Sequence, residues 1–165
     1  LTWTNLTDPD VVPEEVPGQL ESEWQGDFVE PLRTLYTVNN GFNFEDEACD
    51  GLFFICRPSI APSGMEYYPE DGPITGWGNS LLVAALKNGA LYRFLLTADG
   101  SGIRDSDQIF SMVNRYRDVA LRADNRTIFI ATDSSGLARA ADGGATDELA
   151  NPGAILAFTY EEADD

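Results

Sequence analysis

Histidine is absent from the 165 residues, cysteine occurs only as Cys49 and Cys56, and lysine only as Lys87. Without imidazole the chain supplies no Ser-His-Asp triad, no histidine general base and no histidine-ligated zinc, and two cysteines are too few for a structural zinc knot. Any histidine used in catalysis must come from outside these residues. Positive charge is scarce too: 10 Lys and Arg stand against 28 Asp and Glu, a formal net charge of −18. Such a surface repels phosphate backbones and anionic headgroups, so nucleic acids and membrane surfaces are not expected partners. No apolar run approaches the roughly 18 residues of a membrane span. The opening Leu1-Thr2-Trp3-Thr4 lacks the basic start and long apolar stretch of a signal peptide, so the chain reads as a mature or excised segment.

What is present fits one globular domain, with 43% hydrophobic residues and 11% aromatics. The charge is uneven: residues 1–71 carry 15 acids and 2 bases, residues 72–165 carry 13 acids and 8 bases. Residues 1–48 are expected to be an acidic, irregular segment, with peripheral strands at most, and 49–165 the structured part. Cys49 and Cys56 are spaced to close a small loop, worth about 2.5 kcal/mol as a disulfide, against the alternative of two buried free thiols. With the acceptor patterns Asn5-Leu6-Thr7 and Asn125-Arg126-Thr127 they favour an oxidising, secreted or periplasmic setting.

Short branched and aromatic runs at Leu52–Cys56, Ser80–Leu86, Ala90–Thr97, Tyr116–Leu121, Thr127–Thr132 and Ala154–Tyr160 predict strands. Lys87-Asn88-Gly89 and Ala123-Asp124-Asn125-Arg126 predict tight antiparallel hairpins, because Asn and Gly tolerate positive φ. No sustained period of 3.6 marks an amphipathic helix. The fold class is all-β, and consecutive hairpins without helical crossovers suit a sandwich, a barrel or propeller blades.

Arg115 and Arg117 in Asn114-Arg115-Tyr116-Arg117-Asp118-Val119 fall on one face of an extended segment, some 6–7 Å apart. At an effective dielectric of 20 their repulsion is about 2.5 kcal/mol, which an anion between them would offset. A ligand carboxylate suits such a pair, and so does a surface acid of the chain itself. Lys87, at a hairpin edge, is a candidate third cation. Ile55-Cys56-Arg57-Pro58-Ser59-Ile60-Ala61-Pro62-Ser63 reads as a strand running into a proline-stiffened loop that presents Arg57 and Ser59 to a ligand, or is a plain connection. The cluster Glu45-Asp46-Glu47 with Asp50 lacks the spacing of a calcium loop and reads as solvated charge.

Taken in order, Ile55–Ser63, Ile74-Thr75-Gly76-Trp77-Gly78-Asn79-Ser80-Leu81-Leu82-Val83, Leu86-Lys87-Asn88-Gly89, Asn114–Val119 and Glu148-Leu149-Ala150-Asn151-Pro152-Gly153 running into Phe158-Thr159-Tyr160 resemble the C-terminal part of soluble quinoprotein glucose and pyranose dehydrogenases. The resemblance spans about 49–160, and residues 1–48 show no clear match. It implies the C-terminal blades of a six-bladed β-propeller that carries pyrroloquinoline quinone (PQQ) at one end of its channel. Lys87, Arg115 and Arg117 look like the family's cationic PQQ contacts, and Ser59 stands where a Thr touches the cofactor. The reaction implied is oxidation of an aldose at its anomeric carbon, with electrons passing to an external acceptor such as a cytochrome. The general-base His and the calcium ligands would lie in the remaining, N-terminal part of the propeller. Arg57 replaces the aromatic residue of glucose-oxidising members, so it and Phe54 are the expected substrate contacts, and the preferred sugar should differ. The competing expectation is a non-catalytic propeller that binds a protein partner.

Overall fold

The computed structural model describes residues 23, 25–27, 29–35, 41–45, 47, 51–52, 55 and 58–162. The chain divides into two compact units, Leu1–Pro31 and Leu32–Asp165, and the sheet structure of the described residues lies in the second. It consists of nine strands: β1 (Pro62–Tyr68), β2 (Ser80–Ala85), β3 (Ala90–Leu96), β4 (Ile103–Ile109), β5 (Tyr116–Leu121), β6 (Thr127–Thr132), β7 (Ala138–Arg139), β8 (Ala145–Thr146) and β9 (Ile155–Thr159). Among the described residues no helix is long and apolar enough to cross a membrane.

β1 to β4 form a four-stranded antiparallel meander in sequence order. β2 is buried on both faces, and its continuous run Leu81-Leu82-Val83-Ala84-Ala85 reflects this. β3 alternates more, and β4 is polar because it forms the outer edge, where Arg104 and Asp105 face solvent. The Lys87-Asn88-Gly89 turn joins β2 to β3 as the sequence predicts, with Gly89 at φ +47°. The second sheet has the order β5-β6-β9, and its first hairpin turns through Asn125 at φ +55°. The two-residue pair β7–β8 is inserted between β6 and β9.

The sheets meet through their first strands. Ser63 Oγ donates to Tyr116 O at 2.6 Å, and a Cβ at Gly64 would lie 2.8 Å from Asp118 Cα, so only glycine allows β1 this near β5. Tyr68, Ile74, Leu82, Ala84 and Leu91 then pack against Tyr116, Val119, Ile128 and Ile130 in one core. Each buried hydroxyl there is used: Tyr116 donates to Phe110 O at 2.6 Å, while Tyr68 accepts from Ile74 N at 2.9 Å and donates to Asn125 O at 3.1 Å.

Two expectations need correction. Ile55 is helical rather than extended, and its N–H bonds Leu52 O at 2.9 Å, so the predicted strand Leu52–Cys56 is not formed there. A five-residue apolar run has no period to separate the two states. The stretch entered by Pro62, read as loop, instead begins β1, where proline is tolerated as first residue.

Candidate functional site

The β2–β3 hairpin, the Ser59–Ala61 connection and the start of β5 border one cavity of about 330 Å³, lined by Ile55, Ser59, Ala61, Leu86, Lys87, Arg115 and Leu137. Three of the four residues expected to bind a cofactor thus converge, although 28 positions separate each from the next. Local structure explains how. Leu86 N and Lys87 N donate to Ala61 O and Ile60 O at 3.0 and 3.2 Å, which brings the hairpin onto the Ser59 loop. Gly89 O accepts from Met112 N at 3.0 Å, and a Cβ at Gly89 would stand 2.4 Å from Met112 O and 2.5 Å from Asn114 O. The glycine therefore lets the hairpin close against the segment that carries Arg115.

That segment is anchored from the other side. Asn114 is fully buried, donates to Asn151 Oδ1 at 3.1 Å and accepts from Asn151 N at 2.9 Å, so the Asn-Arg-Tyr-Arg and Asn-Pro-Gly motifs are two halves of one lock. Ser59 Oγ accepts from Ala61 N at 3.1 Å, which leaves its proton to donate elsewhere. Lys87 is only 6% exposed.

Arg115 and Arg117 do project to one side, and the anion between them belongs to the chain. Asp133, just beyond β6, accepts from Arg115 Nε at 3.0 Å and Arg117 Nη2 at 2.7 Å through Oδ2, and from Arg117 Nε at 2.7 Å through Oδ1. These hydrogen bonds, Arg117's foremost, hold the Asp133 carboxyl below the usual carboxylate range, and Asp133 in turn raises the Arg117 guanidinium. Arg115 Nη1 also donates to Leu137 O at 2.6 Å. Arg117 is half exposed and does not line the cavity; a bulge between Tyr116 and Asp118 turns it outward. Asp133 was missed from sequence. The signal was the hairpin register, since Tyr116 opposite Thr132 sets Asp133 beside Arg115.

Phe54 and Arg57, the expected substrate contacts, and the Cys49–Cys56 pair lie outside the described residues. Among the described residues no group of three His, Cys, Asp or Glu is placed to hold a metal.

A four-stranded antiparallel meander packed beside a second antiparallel sheet that follows it in sequence fits neighbouring propeller blades. The family model described as Glucose / Sorbosone dehydrogenase matches residues 36–139, and the chain belongs to that family. It is 42% identical over 149 residues to quinoprotein glucose dehydrogenase B of Acinetobacter calcoaceticus, a match covering 88% of this chain and 31% of that relative. The chain thus spans about a third of the relative's length. Both matches extend further than the motifs did: the family model begins at residue 36, and 88% coverage is more than 49–165 alone would supply, so the similarity reaches into 1–48.

Proposed function

We propose that the chain forms the cationic wall of a PQQ site in a sugar dehydrogenase, with Lys87, Arg115 and Ser59 on the cofactor and Arg117 beside them. The observation that carries this is the single cavity shared by a buried lysine, an arginine and a hydroxyl with its proton to give. These donors fit a planar tricarboxylate: guanidinium and ammonium groups pair with carboxylates, and the hydroxyl adds a neutral donor. PQQ, when bound, supplies the quinone that accepts a hydride from the sugar. Lys87 and Arg115 would hold the cofactor's charge, fix its orientation and stabilise negative charge arising near them during reduction.

The substrate under this reading is an aldose oxidised at its anomeric carbon, with an external electron acceptor. The general base comes from the rest of a six-bladed propeller, because this chain holds no histidine, and the calcium ligands are assigned to the same remaining part. Secretion or a periplasmic location, with Cys49 and Cys56 joined and Asn125 glycosylated, completes the proposal.

Titration with PQQ, in the presence of Ca²⁺, of the protein that joins this chain to the rest of the propeller, followed by equilibrium dialysis, tests this reading. Saturable binding is expected, with Lys87→Ala or Arg115→Ala weakening it more than tenfold, or 1.4 kcal/mol. No binding by the unsubstituted protein, or affinity left unchanged by both substitutions, overturns it.

A further inference from the structure

We propose that Asp133 is a positioning residue, which together with the loop that follows it through Leu137 cradles Arg115 and aims its guanidinium at the cavity. This rests on reading the cavity as a site for an anionic cofactor. Asp133 is itself fixed at both backbone ends: its N–H donates to Arg115 O at 3.0 Å, and its carbonyl accepts from Gly153 N at 2.9 Å. Its carboxylate then takes Arg115 Nε and both Arg117 donors, while Leu137 O takes Arg115 Nη1.

The third wall of the cradle is an absence. Gly136, at φ +116°, lies so near that a Cβ there would stand 2.8 Å from Arg115 Nε, 3.1 Å from Cδ and 3.2 Å from Cζ. The side chain of Arg115 is thus laid against bare backbone and held by two acceptors, and its Nη2 makes no hydrogen bond among the described residues. An arginine carries about 2 kcal/mol of rotamer entropy. Here much of that freedom is given up before any ligand arrives, which is the condition for tight binding.

Orientation and charge make opposite demands on this carboxylate. As a charge, Asp133 cancels part of the attraction for an anionic ligand, so its removal should tighten binding. As a positioning group, its removal should loosen binding. Asp133→Asn separates the two, because the amide keeps the shape and removes the charge, yet offers one acceptor where two guanidinium groups need a carboxylate.

The experiment uses the protein that joins this chain to the rest of the propeller, unsubstituted and as Asp133→Asn and Asp133→Glu, compares PQQ dialysis with Ca²⁺ present, and observes the arginine Nε–H resonances by NMR without PQQ. Asp133→Asn is expected to weaken PQQ binding about tenfold although the site becomes more positive, and to shift the Arg115 and Arg117 Nε–H signals into fast solvent exchange. Asp133→Glu should restore part of both. Equal or tighter binding by Asp133→Asn overturns the proposal, as does fast exchange of Arg115 Nε–H already in the unsubstituted protein. If the unsubstituted protein shows protected Nε–H signals but takes up no PQQ, the cofactor reading itself fails and Asp133 is reduced to a structural clamp. Circular dichroism checks folding; should Asp133→Asn not fold, Gly136→Ala, on the exposed loop, is expected to weaken PQQ binding in the same direction, and unchanged affinity there overturns the proposal.

Discussion

At the scale of single residues, Asp133 makes stability depend on pH. Its carboxyl titrates lower in the folded chain than the ordinary value of about 4. A depressed acid adds stability that is present above its unfolded pKa and is lost as pH falls through the folded one. The melting temperature of the unsubstituted chain should therefore exceed that of Asp133→Asn near neutrality, and the gap should narrow on acidification below about pH 4. Scanning calorimetry at several pH values checks this. A gap that is constant or widens would contradict it. Asp99, bonded chiefly by Thr97, and Asp124, bonded chiefly by Arg122, are held at about 2, so both proteins keep a shared acid dependence that the comparison subtracts.

The same residue marks the limit of what was legible. The strand period led to the expectation that Arg115 and Arg117 share a side with an anion between them; in the fold Arg115 precedes β5 and Arg117 sits at a bulge, and it is Asp133 that joins them. The identity of that anion did not follow, because Asp133 is 16 positions beyond Arg117 and one of 28 acids. Only the register of the β5–β6 hairpin singles it out.

At the scale of elements, hairpins were the readable part of the fold, because Asn-Gly and Asp-Asn place positive φ where a tight turn needs it. β4 escaped notice because Ile103–Ile109 is largely polar, as befits an outer strand, and β7 and β8 are too short to leave a pattern. The β2–β3 turn has a second duty, since Gly89 must also clear the backbone of Met112 and Asn114. Gly89→Ala is expected to cost about 2 kcal/mol or more in urea unfolding, from left-handed strain plus overpacking. Gly100→Ala, at φ +71° with open space around it, should cost only about 1 kcal/mol. Equal costs would show that the close approach is unimportant.

At the scale of the whole molecule, the two outer edges differ in character. The exposed positions of β4 include Arg104, Asp105 and Gln108, whereas those of β9 are Ile155, Ala157 and Thr159, with Ile155 75% exposed. Charged edges resist unwanted pairing and apolar ones invite it. β9 has no further strand beside it among the described residues. Ile155→Lys should therefore reduce concentration-dependent association of the isolated chain in sedimentation, and Met65→Lys on exposed β1 should not. Equal effects would assign association to general surface hydrophobicity.

Beside the cavity a backbone bond also joins the β2–β3 turn to the segment inserted between β6 and β9: Arg139 N donates to Lys87 O at 2.7 Å. The wall that would hold a ligand is thus stitched from both blades at once. Whatever binds there acts as a rivet, and by linkage its affinity and the cohesion of the join rise and fall together.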